Sequence, residues 1–539
     1  MAEKTKVIFT TLLIEKSPQA LPLGAACVAS SVKHSPLTKD IADVALIPFC
    51  KEDDEFIKHS ASDDDAAAFM AAELLKLNPK IVGFSIFVWN RIVLEKTAAI
   101  LQSNGIKTMC GGPEVTANPA SFKNFDKVCS GEGEYQIPSL IYELITGMTP
   151  QLKDIENSTL TDELCYQGLS SPYLDGTLDP SEFEGALWEL ARGCPFKCSY
   201  CYESKGEKKV RMFPMERIEK ELELFAKKRV PQVFVLDPTY NANKKHAIEL
   251  INKIAKKTPD TFYYFEARAE FIDRELARAF TKIPCSLQIG LQSADPNVLN
   301  LVNRPFNKSS FLKGINCLNQ EGAVFGLDVI YGLPGDSLQG FKNSVDFAIS
   351  QYPNNLELFC LSVLPGTDLH DRAESLKLVW QSQPPYHIIH TPTFSSDDIK
   401  KAAGIAKACT LFYNDGRAVP WFNTILHALH MKSSEFFNSF YKYMVSQNVD
   451  EGICTDHRAV EKVQIAFIRQ LFAQRKMEKM LDAALDIISF NGAVSRKIDT
   501  GKSETVQLHY PAEYIDSEYA MDLAFFVKNV QKRNSKFTT

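Results

Sequence analysis

The chain has 539 residues and a mass of 60.4 kDa, enough for roughly three domains rather than one core. Hydrophobic residues at 45% and charged residues at 23% exclude a disordered or collagen-like chain. With 60 Lys and Arg against 66 Asp and Glu, the formal net charge is −6, so no global basic field draws the protein to nucleic acid or anionic membrane.

The apolar run Val7–Ile14 near the start is too short for a membrane span and lacks a small-residue cleavage site, so a first β-strand is expected rather than a signal peptide. No other stretch reaches the ~18 apolar residues that a transmembrane helix needs. The 13 cysteines are odd in number and mostly scattered. That pattern argues against a secreted disulfide scaffold and for a reducing cytoplasm with buried free thiols.

Residues 6–14 read as a buried strand and 22–33 as a helix, with Pro22 suited to its first turn. Residues 42–49 read as a second strand, and 63–78 as a helix whose acids sit at its positive end. A third strand at 80–89 is followed by a helix to Leu101; 107–115 and 127–134 are short strands running into Gly-rich turns, and 135–147 is a helix. Strands alternating with helices over residues 1–150 predict a doubly wound, Rossmann-like or flavodoxin-like sheet. Such sheets bind ligands beyond the carboxyl ends of their strands. The segments expected there are Pro22–Gly24, Ser85–Trp89, Gly111–Glu114 and Gly131–Glu134. On spacing alone GGP and GEGE read as tight turns, because neither is G-x-G-x-x-G or a P-loop.

Between 151 and 184 the pattern fades into Thr, Asp, Pro and Ser, as in a linker. Six strand-then-helix units follow in 185–390, with strands near 186–192, 232–237, 262–268, 285–291, 324–331 and 356–364. Six units predict a partial TIM-like barrel, short of the eight that close fully. Just after its first strand comes Cys194-Pro-Phe-Lys-Cys198-Ser-Tyr-Cys201. Three thiolates on one loop suit a soft metal centre: an iron–sulfur cluster with one iron left open, or zinc if a fourth ligand were near. No second cysteine pair lies close in sequence, which favours the cluster over zinc or inert thiols. Residues 391–539 show helical spacing at 396–414, 433–447 and 460–491. His387, His390, His427 and His430 are read as ordinary core or surface residues rather than ligands.

The C-x₃-C-x₂-C loop, with Tyr200 before its last cysteine, resembles the signature of the radical S-adenosylmethionine (SAM) superfamily. That resemblance implies a 4Fe–4S cluster on Cys194, Cys198 and Cys201, SAM bound at the open iron, and reductive cleavage of SAM to a 5′-deoxyadenosyl radical. It further implies SAM contacts from Tyr200, Asp237, Thr239, Glu266, Arg268, Gln292, Ser293 and the turn Gly332, Leu333 and Pro334. The family's GGE-like stretch is missing, with Asp237 and Thr239 in its place. The first domain resembles the cobalamin-binding domain fused ahead of many such barrels. The likeness nominates Leu23, Gly24, Ser85, Val88, Trp89, Gly111, Gly112, Pro113, Glu114, Gly131 and Glu132 as cobalamin contacts. No D-x-H-x-x-G occurs, so no histidine is expected beneath cobalt. The implied reaction is methylation of an unactivated carbon on a small molecule, lipid or peptide, with flavodoxin or ferredoxin as reductant. The alternatives are a cobalamin-assisted rearrangement or oxidation, or a noncatalytic cofactor sensor. No individual catalytic residue is nominated. The Gly111–Glu114 turn and Trp89 are expected to face the cysteine loop across a closed cavity, and 391–539 to cover an open flank.

Overall fold

A computed structural model describes residues 3–150, 168–204 and 210–539. The first part of the expected linker, 151–167, lies outside the described residues, as do 205–209. The chain forms two compact units: Met1–Ser286 with Ser362–Ser375 and Trp380–His387, and Leu287–Leu361 with Leu376–Val379 and Ile388–Thr539.

The first unit opens with five parallel strands: β1 (Thr5–Thr10), β2 (Ala42–Leu46), β3 (Ile81–Ser85), β4 (Lys107–Gly111) and β5 (Lys127–Val128). Their spatial order is β2-β1-β3-β4-β5. This is the doubly wound order in which the switch point falls between β1 and β3. Every residue of β3 is buried, because helices cover both faces. On one face Ile8, Val82, Phe84 and Cys110 pack with Met70 and Leu74 of helix Asp63–Lys76 and with Leu94 of helix Arg91–Ser103. On the other, Val7, Phe9 and Met109 meet Ala29 and Val32 of helix Leu23–His34 and Ile137 and Ile141 of helix Gly133–Thr146. Helix Asp63–Lys76 begins where Ser62 Oγ accepts from Asp65 N at 3.2 Å, with three Asp residues in its first turn to complement the helix dipole.

The same unit continues with β6 (Ala186–Trp188), β7 (Gln232–Val235) and β8 (Phe262–Ala267), parallel and adjacent in that order. Helices Met215–Lys228 and Lys244–Lys257 lie between them in sequence, the strand-helix alternation that the pattern predicts. On alternate positions Phe234 and Tyr264 stack at 4.0 Å.

β9 (Cys285–Gln292) begins in the first unit and continues into the second, where it pairs in parallel with β10 (Phe325–Tyr331), and β10 with β11 (Asn355–Cys360). Six such strands with intervening helices make the TIM-like core of a mixed α/β fold. The second unit also carries the C-terminal helices Ser396–Cys409, Ser433–Gln447, His457–Gln474 and Glu478–Thr500. Phe412 is fully buried among Trp421, Phe422, Phe436, Phe440 and Phe467, which accounts for the aromatic residues of this region as core.

Two features differ from the pattern reading. Residues 460–491 are two helices, not one: Lys476 takes φ 57°, and Arg475 anchors the turn by donating to the Leu429 carbonyl at 2.7 Å. No local breaker marks the site, so tertiary contact decides it. A short antiparallel pair, Thr505–Leu508 with Ser535–Thr538, also appears where no strand pattern was visible; four polar-rich residues a side are too few for a periodicity to register.

Candidate active site

The cysteine loop follows β6 at its carboxyl end. It leaves the strand through Ala191 and Arg192, which pair antiparallel with Met212 and Arg211. Gly193, at φ 90°, turns the chain into the loop in a conformation that side-chain-bearing residues resist. Cys198 is buried and Cys194 and Cys201 are half-buried; Cys201 N donates to Cys198 O at 3.1 Å. Burial pushes the Cys201 thiol up to about 11, opposed by a backbone N–H from Glu203 and reinforced by Cys198 and Cys194. The three sulfurs therefore share one electrostatic neighbourhood. Among the described residues no three His, Cys, Asp or Glu side chains converge as ligands of a single ion would. A cluster with a separate iron for each thiolate needs no common point, so the donor set fits a 4Fe–4S centre with one iron left for another ligand.

The expected SAM contacts fall in both units. In the first, Tyr200 is half-buried within the cysteine loop, and Thr239 Oγ1 lies 3.9 Å from Cys194 Sγ. The Arg268 guanidinium stands over the ring of Phe196, between the first two cysteines, at 4.2 Å. Asn241 fixes the Arg268 backbone by two hydrogen bonds, of 2.9 and 3.0 Å. Glu266 is exposed. Asp237 is engaged otherwise: its Oδ1 accepts from Leu190 N and Ala191 N, both at 3.0 Å, so it holds the chain that enters the cysteine loop. Burial pushes its carboxyl up to about 7 against those two N–H donors.

In the second unit Gln292 ends β9 with φ 69°, beside a register shift against β10. Its Oε1 is buried without a hydrogen-bond partner, an orphaned acceptor of the kind a ligand donor would satisfy. Ser293 is buried and accepts from Asp295 N at 3.1 Å. Gly332, at φ 86°, begins the turn with buried Leu333 and Pro334; a Cβ there would come within 2.5 Å of Ile388. His387 is half-buried, and His390, His427 and His430 are exposed.

A cavity of about 1150 Å³ opens in the first unit at the carboxyl ends of β1, β3 and β4. Of the residues expected to hold cobalamin, Leu23, Gly24, Ser85, Trp89, Gly111, Gly112, Pro113, Gly131 and Glu132 line it. Val88 and Glu114 are not part of its wall. Glu114 is buried, bonded to Arg91 at 2.9 Å and to the Tyr386 hydroxyl. Gly112, at φ 108°, lets the turn press against Ile86, whose carbonyl oxygen would lie 2.6 Å from any added Cβ. The segment after β3 is organised by Asn90, which accepts from Phe87 N at 2.8 Å and donates to Thr11 Oγ1 at 3.0 Å. It presents Phe87 and Trp89 stacked at 4.6 Å to the cavity.

The cavity is also lined by residues on either side of the cysteine loop: Glu189, Arg192, Gly193, Tyr202, Glu203 and Arg211. Residues on both sides of the cysteine loop thus share a cavity with the strand ends, within one unit, while Cys194, Cys198 and Cys201 are not part of its wall. Sequence reading placed Phe87 in the segment Ser85–Trp89 without singling it out, and missed Arg192, Arg211 and Tyr202. Arg192 and Tyr202 directly flank the cysteine motif at Cys194–Cys201 or its leading glycine, which was the available signal; Arg211 had none.

Residues 188–348 match the model of the radical SAM superfamily, and residues 374–492 match a family described as a protein of unknown function, DUF4080. An uncharacterized methyltransferase of Pyrococcus horikoshii, PH0819, is 25% identical over 423 residues, 73% of this chain and 87% of its own. The cobalamin-dependent radical SAM methyltransferase TokK of Streptomyces tokunonensis is 24% identical over 371 residues, 59% of this chain and 53% of its own. The chain thus spans about half the length of TokK. Among solved structures, the cobalamin-dependent SAM radical enzyme OxsB aligns with a TM-score of 0.54 at 15% identity, covering 98% of this chain and 84% of its own. The radical SAM methyltransferase TsrM of Kitasatospora setae aligns at 0.51 with 13% identity, covering 70% and 76%. Both are likenesses of fold.

Two outcomes follow from the loop's chemistry. The triple variant Cys194/Cys198/Cys201→Ala is expected to lose most of the iron that the anaerobically reconstituted protein holds, by iron and sulfide assay, because thiolates are the strong iron anchors there; full retention would end the assignment. At Asp237 the folded carboxyl titrates near 7, above its unfolded value of ~3.9. The wild-type protein then loses stability as pH rises from about 4 to about 7, whereas Asp237→Asn keeps an acceptor and does not titrate. Urea midpoints should therefore favour Asn over Asp more at pH 8 than at pH 5, and an equal gap at both would refute the buried-acid reading. A three-cysteine loop at the carboxyl end of the first strand of a six-strand TIM-like core, together with the match over residues 188–348, identifies a radical SAM domain in this chain, of the class of enzyme that works with a 4Fe–4S cluster and S-adenosylmethionine.

Proposed function

We propose that the protein is a cobalamin-dependent radical SAM methyltransferase acting on an unactivated carbon. The observation that carries this is the cavity of about 1150 Å³, lined both by the strand ends of the five-stranded sheet and by residues flanking the cysteine loop. Pockets for drug-sized ligands run to ~1,000 Å³, so this one suits a cofactor-sized molecule. Its walls include Leu13, Leu21, Phe87, Leu187 and Leu236, an apolar lining suited to a macrocycle. Among the described residues none of those lining it is a histidine, and in the proposed mode cobalamin is held without an imidazole beneath the metal. TokK and OxsB are both described as cobalamin-dependent, and TsrM is described with cobalamin and a [4Fe-4S] cluster bound.

When bound, the cofactors would supply a hydrogen-abstracting adenosyl radical and a methyl donor. The chain's own contribution is placement and exclusion of water. Gly24, Gly111 and Gly112 leave room along the sheet edge, Trp89 and Phe87 offer stacked aromatic faces, and Tyr202 stands on the wall next to Cys201. A reductant is needed, and flavodoxin or ferredoxin is the proposed class. Among the described residues no helix is long and apolar enough to cross a membrane.

The reaction class is tested by incubating the reduced, reconstituted protein with methyl-labelled SAM and candidate acceptors. Methyl transfer yields S-adenosylhomocysteine together with 5′-deoxyadenosine; 5′-deoxyadenosine alone would instead favour a rearrangement or oxidation, and neither product a sensor. The cofactor assignment is tested at Gly24. An added Cβ there meets only Ser85 Oγ, at 3.7 Å, the backbone is not left-handed, and the residue lines the cavity into which a larger side chain extends. Gly24→Phe is therefore expected to fold and keep its iron while binding hydroxocobalamin at least tenfold more weakly, a loss of about 1.4 kcal/mol. Unchanged affinity in a spectroscopic titration would remove cobalamin from this cavity.

A further inference from the structure

The ribbon that carries the cysteine loop has an electrostatic problem at its neck. Arg192 and Arg211 are direct cross-strand partners, each with only 15% of its side chain exposed, and like charges so placed repel. The compensation comes from the GEGE turn after β5. Arg192 Nη2 donates to Glu134 Oε1 at 2.6 Å, and its Nη1 lies 3.4 Å from Glu132 Oε2. Arg211 Nη2 donates to the other oxygen of Glu132. Glu189, on the way into the loop, takes the remaining edge of Arg192 at 2.7 and 2.9 Å. Burial pushes Glu134 up, but Arg192 outweighs it, and the carboxyl sits below its ordinary value. All five side chains line the cavity.

Half-buried ion networks repay their desolvation poorly as stability, whereas forked guanidinium–carboxylate pairs fix orientation closely. Glu132 and Glu134 grip both ends of one loop, at Arg192 before the cysteines and at Arg211 after them. We infer that Glu132 and Glu134 are positioning residues, a two-pronged clamp by which the first domain fixes where the cluster-bearing loop stands against the cavity wall. The clamp gives the GEGE turn a role distinct from cofactor contact. Only its second readout below rests on the cobalamin reading.

The test uses the full chain with a reconstituted cluster, comparing wild type with Glu132→Gln/Glu134→Gln and with the milder Arg192→Lys, which keeps the charge and loses the fork. The first readout needs no cobalamin: the electron paramagnetic resonance (EPR) spectrum of the reduced cluster with SAM, and the rate of 5′-deoxyadenosine formation. Wild type should give one cluster species. At matched iron content the double variant should give a mixture and cleave SAM up to ~100-fold more slowly, the scale of a displacement of about 1 Å, with Arg192→Lys in between. A single unchanged species and rate in Arg192→Lys and in the double variant, even with a lowered unfolding midpoint, would reduce the network to a structural one and overturn the inference. If the double variant fails to take up iron, Arg192→Lys is judged by the same spectrum. The second readout is the cluster-to-cobalt distance distribution by pulsed EPR, expected to be narrow in wild type and broad in the variants. A wild type that takes up no cobalamin sinks the function proposed above while the first readout still decides the clamp.

Discussion

Two guanidinium groups held opposite each other across a two-residue ribbon set the terms for the first unit. They cannot both be half-buried at the neck of the cysteine loop unless carboxylates reach them, and three do: Glu132, Glu134 and Glu189. Two of the three belong to a turn at the edge of the five-stranded sheet. The position of the cysteine loop is thereby tied to strand order: β5 must follow β4 at that edge for the GEGE turn to arrive beside the loop. The same turn starts helix Gly133–Thr146, whose Ile137 and Ile141 are buried against the sheet, so the clamp is mounted on a packed element rather than on a free loop.

The cavity is a consequence of the doubly wound topology. Where β1 and β3 send their following segments in opposite directions, a crevice is left that side chains do not fill. Its shape is then refined locally. Asn90, nearly fully buried, spends its amide on Thr11 and the Leu12 carbonyl and its oxygen on Phe87 N, freezing the segment that carries Phe87 and Trp89. Glycines at 24 and 111 keep the edge open, and Gly112 allows a turn that any Cβ would push off Ile86. Glu114 shows the opposite logic. Its carboxylate is committed to Arg91 and Tyr386, so it anchors residues 380–387 to the helix that starts at Pro113 and is turned away from the ligand space.

In the second unit, chemistry is concentrated at strand ends and polar pairs between strands. Asp328 and Glu357 are register partners on β10 and β11, and burial, with the nearby Glu357 charge, pushes Asp328 up to about 6 despite its bond to Gln288. Glu357 is held by Asn355 and Asn414, and Asn414 also binds the backbone of Leu356. Asn414 lies in the π-helical turn Thr410–Asp415, so the C-terminal helices contribute directly to the polar interior of their own unit.

The sequence by itself determined the alternation of strands and helices, the doubly wound first domain, the six-strand count and the cysteine loop, because each of these is written in local periodicity or in spacing along the chain. It also carried most of the cavity's floor, since glycines and apolar residues at predicted strand ends needed only the rule that ligands gather there. Only the tertiary structure decided what individual polar side chains do. Glu114 and Glu132 lie in similar Gly-rich turns, yet one is locked in a buried pair with Arg91 and the other reaches Arg192 and Arg211, up to 79 positions away. Asp237 looked like a ligand and serves two backbone N–H groups instead. The break at Lys476 likewise has no local cause and depends on Arg475 finding the Leu429 carbonyl. A charge, a hydrogen-bond donor or a helix break takes its meaning from a partner, and in each of these cases the partner is distant in sequence and brought near only by packing.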